Sequence, residues 1–322
     1  MPHARVGWLG SAIVLFSAAM FGTLGVASRL AYDMGMEPFA FVAWRAGVGA
    51  IGVWLVISLL RRGELLRQLW SIDAVARRWL LLAVLLGAGL NLAAFLSFAN
   101  TTVALALLGF YTYPAMVAAG SVLLGREPLD AGRVLALGLA LAGMAAVVLG
   151  SPSGQAAPGD NALGIALALA AAGFQTAFVL ASRGYARIPA EQAMGTILAG
   201  GAVVAIVVSL LVSGPGAIAL PLATPDLLVL MLAVGLFAAG LPSVLFLTGI
   251  RWIGGVRTGI LMLFEPVVGV ALAAIVLAER LQPLQVAGGA TILLAALIVQ
   301  RGIRSARADT EPGAVLPAPG GP

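Results

Sequence analysis

Long apolar runs separated by short polar breaks organise the whole chain. Ten such runs fall at residues 8–28, 39–60, 79–99, 102–124, 132–150, 162–182, 193–213, 226–250, 256–278 and 283–300. Each is close to the roughly 20 residues a helix needs to cross a hydrocarbon layer about 30 Å thick. The breaks carry turn formers, as in Ser151-Pro-Ser-Gly154 and Ser213-Gly-Pro-Gly216. One longer connection, 61–78, places Leu65, Leu66, Leu69 and Trp70 on one helical face and predicts an amphipathic segment lying at the interface. Residues 309–322, rich in Pro, Gly and Ala, predict a disordered tail. The pattern predicts an all-α integral membrane protein of ten transmembrane helices. Its first run is too long for a signal-peptide core and reads as a retained helix.

Composition sharpens this. Of 322 residues, 61% are hydrophobic and only 10% charged, where a soluble domain carries about 25% charge. The absence of cysteine removes disulfide and thiol chemistry, and the single histidine, His3, leaves no His-based metal site or triad. Metal ions and other cofactors are not expected. All 18 basic residues are arginines, and nearly all flank apolar runs, which points to membrane topology rather than nucleic acid. With the N-terminus cytoplasmic, fifteen of the eighteen fall inside: Arg5, Arg61, Arg62, Arg67, Arg77, Arg78, Arg126, Arg133, Arg183, Arg187, Arg251, Arg257, Arg301, Arg304 and Arg307. Arg29 and Arg280 fall outside, and Arg45 lies within a run. The expectation is N-in/C-in, both termini cytoplasmic, in a bacterial inner membrane.

The chain also repeats. Leu9-Gly10 and Ala27-Ser-Arg29 match Leu163-Gly164 and Ala181-Ser-Arg183 at a shift of 154; Ala46-Gly47 matches Ala199-Gly200 at 153; Pro114 and Glu127 match Pro266 and Glu279 at 152. One duplicated five-helix unit explains so slow a drift better than shared composition. The expected division is a first repeat over 1–150, a second over 151–305 and a cytoplasmic tail over 306–322. An odd number of helices per unit makes the two repeats inverted. Inverted repeats place a binding site near the midplane, between halves that can rock, and so predict alternating access rather than a pore.

The motifs resemble the ten-helix EamA branch of the drug/metabolite transporter superfamily. That family's pattern is a proline in the fourth helix of each repeat, a Gly-Glu or Ala-Glu step near its end, then a Gly-rich fifth helix. Tyr113-Pro114, Gly125-Arg-Glu127 and Gly138 with Gly143 supply it in the first repeat; Glu265-Pro266, Ala278-Glu279 and Gly288-Gly289 supply it in the second. Arg126, inserted in the first Gly-Glu step, departs from the pattern. The resemblance spans about residues 8–300. It implies a secondary transporter exporting small metabolites, with amino acids, aromatic ones included, as the leading class.

Glu265 is the sharpest candidate. About 14 Å along a helix that begins near Val256, it lies close to the midplane. Carboxylates at such depth usually face a protein interior or a water-filled cavity. Glu265 could bind a substrate ammonium group or carry a coupled proton, or fix packing beside the Pro266 kink. Arg45 could bind a substrate carboxylate or neutralise Glu265; an arginine two or three turns from an interface can equally snorkel to the headgroups. Neither charge recurs in the other repeat, since Glu265 matches Tyr113 and Arg45 matches Leu198.

Tyr111 and Tyr113 could stack on an aromatic substrate, or pack beside the Pro114 kink. Asn91, Gln175 and Ser243, with Phe95, Phe174, Phe178 and Phe246, would line a largely apolar cavity with a few polar groups. Interhelical packing is the plainer use of each. Pro114, Pro242, Pro266, Gly255 and Gly259 are kink or close-approach positions that could gate it. The partners expected are a small-molecule substrate, the bilayer and protons as a coupling option, on a fold complete as a monomer. No Walker A sequence supports ATP, no filter sequence supports a channel, and no second intramembrane carboxylate or nucleophile–base pair supports an enzyme.

Overall fold

The computed structural model describes residues 2–60, 73–101, 103–126, 130–150, 161–276 and 282–308. Every element in them is helical. Helix is the form in which a single apolar segment satisfies all its own backbone groups in lipid. The elements in order are α1 Pro2–Gly22, α2 Leu24–Asp33, α3 Pro38–Leu60, α4 Ala74–Asn100, α5 Val103–Phe110, α6 Tyr113–Leu123, α7 Ala131–Leu149 and α8 Asn161–Ala181. A 3-10 turn, Ser182–Tyr185, follows. Then come α9 Ala190–Val212, α10 Pro215–Ala223, α11 Pro225–Gly235, a π-turn Leu236–Gly240, α12 Leu241–Ile253, α13 Gly255–Met262, α14 Glu265–Val276 and α15 Pro283–Ala308.

Seven described helical stretches are long and apolar enough to cross a membrane: Gly7–Asp33, Pro38–Leu59, Ala74–Ala94, Ala106–Leu123, Ala162–Tyr185, Ala190–Val212 and Pro225–Ile253. Ala131–Val147 and Pro283–Ile298 are apolar but shorter. The expected ninth span arrives in two pieces, α13 and α14. Four runs are thus interrupted: the first at Thr23, the fourth at Tyr111-Thr112, the eighth at the π-turn and the ninth at Leu263-Phe264. The connection after Ser213, read from its Gly and Pro as a turn, instead carries α10, which starts with Pro215 just after Gly214 at φ 78°. Of the expected interfacial segment, 61–72 lies outside the described residues, as does the tail 309–322. Its end, 74–78, belongs to α4, capped by the Asp73 carboxylate accepting from Ala76 N–H at 2.8 Å.

The main helix packings are α3 with α9, α4 with α8, α1 with α12 and α7 with α15, and α6 also meets α13, in a smaller contact. Counted by apolar runs, these are 2–7, 3–6, 1–8, 5–10 and 4–9. Exchanging the two repeats sends 2–7, 4–9 and 5–10 onto themselves and swaps 3–6 with 8–1. The packing therefore repeats the internal symmetry of the sequence, and it runs between repeats rather than within them. Small residues permit it. A Cβ on Gly143 would fall 2.7 Å from the Gly288 carbonyl oxygen, and one on Gly259 would fall 3.3 Å from Pro114 Cβ. Close backbone approach of this kind is how helices associate when lipid offers no hydrophobic driving force between them.

Two main cores result among the described residues, beside a small third cluster of Val42, Ala43 and Ala205. The larger runs from Tyr185, Ile253 and Val256 at the arginine-rich end to Tyr111, Tyr113 and Leu263. The smaller holds Ala31, Met36, Phe41, Leu227 and Met231 at the opposite end, with Tyr32 and Trp44 against it.

Candidate functional site

Between those cores the structure brings together two helix breaks and one inward-turned arginine. In the fourth run the α-helical ladder stops at Phe110. Thr112 then hydrogen-bonds Gly109 O through its hydroxyl at 2.6 Å, and α6 restarts at Tyr113 with Pro114 in its first turn. In the ninth run the ladder stops at Met262, and α14 restarts at Glu265 with Pro266 second. Proline restricts the residue before it and offers no N–H, but it suits the first turn of a helix. Both breaks therefore fall just ahead of the prolines. They leave Tyr111, Tyr113 and Glu265 at the junctions.

The Glu265 carboxyl lies within hydrogen-bonding reach of the Tyr111 hydroxyl, which donates to it, and within electrostatic reach of Tyr113 and Arg45. Both tyrosine rings are buried and flank Phe110, with ring centroids 5.3 and 5.4 Å from it. Gly22 on α1 closes over the junction: a Cβ there would fall 2.8 Å from the Glu265 carbonyl oxygen.

Arg45 turns into the protein. Its Nη2 donates to Asn91 Oδ1 at 2.8 Å, and Asn91 Nδ2 donates to the Gly87 carbonyl at 2.7 Å. This hydrogen bond ties Arg45 of α3 to α4. Arg45 Nε is buried and has no hydrogen-bond partner. Arg45 also lies within electrostatic reach of Tyr32, a residue the sequence reading did not single out. Tyr32 sits beyond the expected end of the first run, on α2, with its ring 5.7 Å from Phe41. Its position in sequence reads as an interfacial tyrosine; only the turn of Arg45 toward it reveals the neighbourhood.

Arg45 and Glu265 form no ion pair within 4.0 Å; ion pairs such as Arg133–Asp130 at 3.2 Å and Arg187–Asp73 at 4.0 Å lie away from this site. On the arginine-rich side of Glu265 the packing is dense: Tyr113, Val117, Ile260, Met262 and Phe246 are at most 6% exposed. Glu265, Arg45, Asn91 and Tyr32 are only partly buried. The accessible surface around the two charges thus lies on the Tyr32 side.

The remaining candidates divide. Gln175, Phe178, Ser243 and Phe246 are buried, with Phe178 and Phe246 in the large core. Phe174 packs elsewhere: a Cβ on Gly89 would fall 2.9 Å from its ring, and the side chain is 37% exposed. The side chain of Phe95 lies outside the described residues. Pro242 is buried in the first turn of α12, and its carbonyl accepts from Ser17 Oγ at 2.7 Å. Gly259 meets Pro114. The sharp turn between α12 and α13 is made by Gly254, at φ 85°, and not by Gly255.

Chemically, the site offers a cation with an unused donor, an acidic group backed by a hydroxyl, and aromatic walls. No nucleophile–base pair is present among its described residues.

No curated protein matches the chain. A solved crystal structure is similar in fold, at a TM-score of 0.74 and 18% identity, covering 92% of this chain and 98% of its own. The model of the EamA-like transporter family matches twice, over residues 8–149 and 162–301. With nearly the whole chain accounted for by two copies of that unit, the protein belongs to the EamA-like transporter family.

Proposed function

We propose that this transporter exports small zwitterionic metabolites, amino acids including aromatic ones foremost, across a bacterial inner membrane by alternating access. The observation that carries the reading is the Arg45 guanidinium, held by Asn91 with Nε buried and unpartnered, beside Glu265 but not ion-paired to it. A buried charge is costly unless paired and hydrogen-bonded. A substrate carboxylate on Arg45 and an ammonium group on Glu265 would complete both. Tyr111, Tyr113 and Phe110 supply the adjacent aromatic surface. The arginine distribution supports cytoplasmic termini, and the paired breaks before Pro114 and Pro266 are the points about which the halves would move.

The test is counterflow in proteoliposomes with a labelled aromatic amino acid and a panel of unlabelled competitors. Saturable exchange, inhibited by free amino acids but not by their amides or N-acyl forms, is expected. Lack of exchange with every amino acid, or equal inhibition by derivatives lacking one charge, overturns the reading. Trans-stimulation separates a carrier from a channel.

A further inference from the structure

A cavity of about 260 Å³ lies away from the Arg45–Glu265 site, at the arginine-rich end where α6, the 3-10 turn after α8, and the α12–α13 junction meet. Arg126, Arg183 and Arg251 all line it, with Ser121, Ser182 and Gly255, and no acidic residue is among its described lining residues. Membrane topology explains arginines at this end, but not their convergence on one concavity. Nor does the shared scaffold. At the 152-residue shift Arg126 matches Ala278 and Arg251 matches Ala99, so two of the three charges are peculiar to this end.

The guanidinium groups are held in place by carbonyls. Arg126 donates from Nη1 to Leu180 O, and Arg183 from Nη2 to Arg126 O at 3.4 Å. Arg251 donates from Nη1 to Ile188 O at 2.7 Å and from Nη2 to Tyr185 O at 3.2 Å, which leaves its Nε buried without a partner. Glu191 lies within electrostatic reach of Arg251 and offsets part of the charge. The N-terminus of α13 opens on the same space through Gly254 and Gly255, and helix N-termini favour anions. Planar guanidinium forks suit carboxylate and phosphate oxygens.

We infer that this cavity binds an oxyanion, either the phosphate of a lipid headgroup or that of a soluble metabolite. Leu123, Leu124 and Trp252, close in sequence to its lining residues Ser121, Arg126 and Arg251, are exposed apolar side chains.

Inorganic phosphate titrated into the full chain in nanodiscs of zwitterionic phosphatidylcholine is the probe. The readout is tryptophan emission, because Trp252 adjoins Arg251. A saturable response at millimolar phosphate is expected. The Arg126→Gln/Arg183→Gln double variant should weaken it about tenfold or more, and Arg45→Gln should leave it within about twofold. Arg183→Gln alone, at an exposed side chain, keeps the test open if the double variant unfolds; it should weaken binding at least about threefold. In nanodiscs rich in anionic phosphatidylglycerol, loss of the response identifies a headgroup as the occupant, and persistence identifies a soluble oxyanion. No saturable response in the wild-type chain, or an undiminished response in the variants, overturns the assignment.

Discussion

Arg45 is held by a single hydrogen bond from Nη2 to Asn91, and much of the proposed chemistry hangs on it. Replacing it with glutamine keeps a donor but removes the charge and the fork. Arg45→Gln should raise the half-saturating amino-acid concentration in counterflow by about tenfold or more, in keeping with the strength of charge-assisted hydrogen bonds. Arg45→Lys should recover little, because an ammonium cannot reach Asn91 and a carboxylate in one plane. Glu265→Gln tests the acidic partner: if Glu265 carries a coupled proton, an imposed pH gradient drives uptake in the wild-type chain and not in the variant. Unchanged pH dependence ends the proton-carrier role while leaving ammonium binding to the competition panel. These two residues were visible in the sequence as charges at depth, but their directions were not. Helix α3 is apolar on every side, so no polar stripe tells which way Arg45 points; the partner that decides it, Asn91, sits 46 residues on. Phe174 shows the converse. An aromatic ring in an apolar run can fill a gap over a glycine as readily as line a cavity, and only the packing tells which.

At the scale of elements, the long apolar runs located the helices, and proline located the breaks at Tyr111-Thr112 and Leu263-Phe264 to within a few residues, though not the one at Thr23. The break falls ahead of the proline because the ring constrains what precedes it, so the side chains left at the junctions are those at positions 111, 113 and 265 and not the prolines themselves. The π-turn Leu236–Gly240 was not legible, since one extra residue in a turn leaves the apolar pattern intact. It packs on α3, one turn past Arg45: a Cβ on Gly49 would fall 2.9 Å from the Gly235 carbonyl oxygen and 3.0 Å from Gly240 N. Gly49→Ala should therefore push α3 from the π-turn, at a cost of about 1–3 kcal/mol, and lower the thermal midpoint in detergent. The displacement should also reach Arg45 and weaken substrate binding. Full stability with unaltered binding would show that the contact yields without consequence.

At the scale of the whole molecule, the drift of the repeat from 154 to 152 foreshadowed a packing that maps onto itself when the repeats are exchanged. The two-core arrangement was beyond the sequence, because both cores draw on helices from both repeats. What the symmetry does not copy is the charge: Arg45 stands opposite Leu198 and Glu265 opposite Tyr113. The unpaired but neighbouring Arg45 and Glu265 have an electrical consequence. One basic and one acidic side chain sum to nothing, and a zwitterion adds nothing to them. The membrane potential acts with about 2.3 kcal/mol per 100 mV on each uncompensated charge that crosses, and a reorientation carrying none is blind to it. Exchange of neutral amino acids should accordingly run at the same rate with or without a potassium-diffusion potential across the liposome. Any substrate of net charge should feel the voltage, with opposite signs for cationic and anionic solutes.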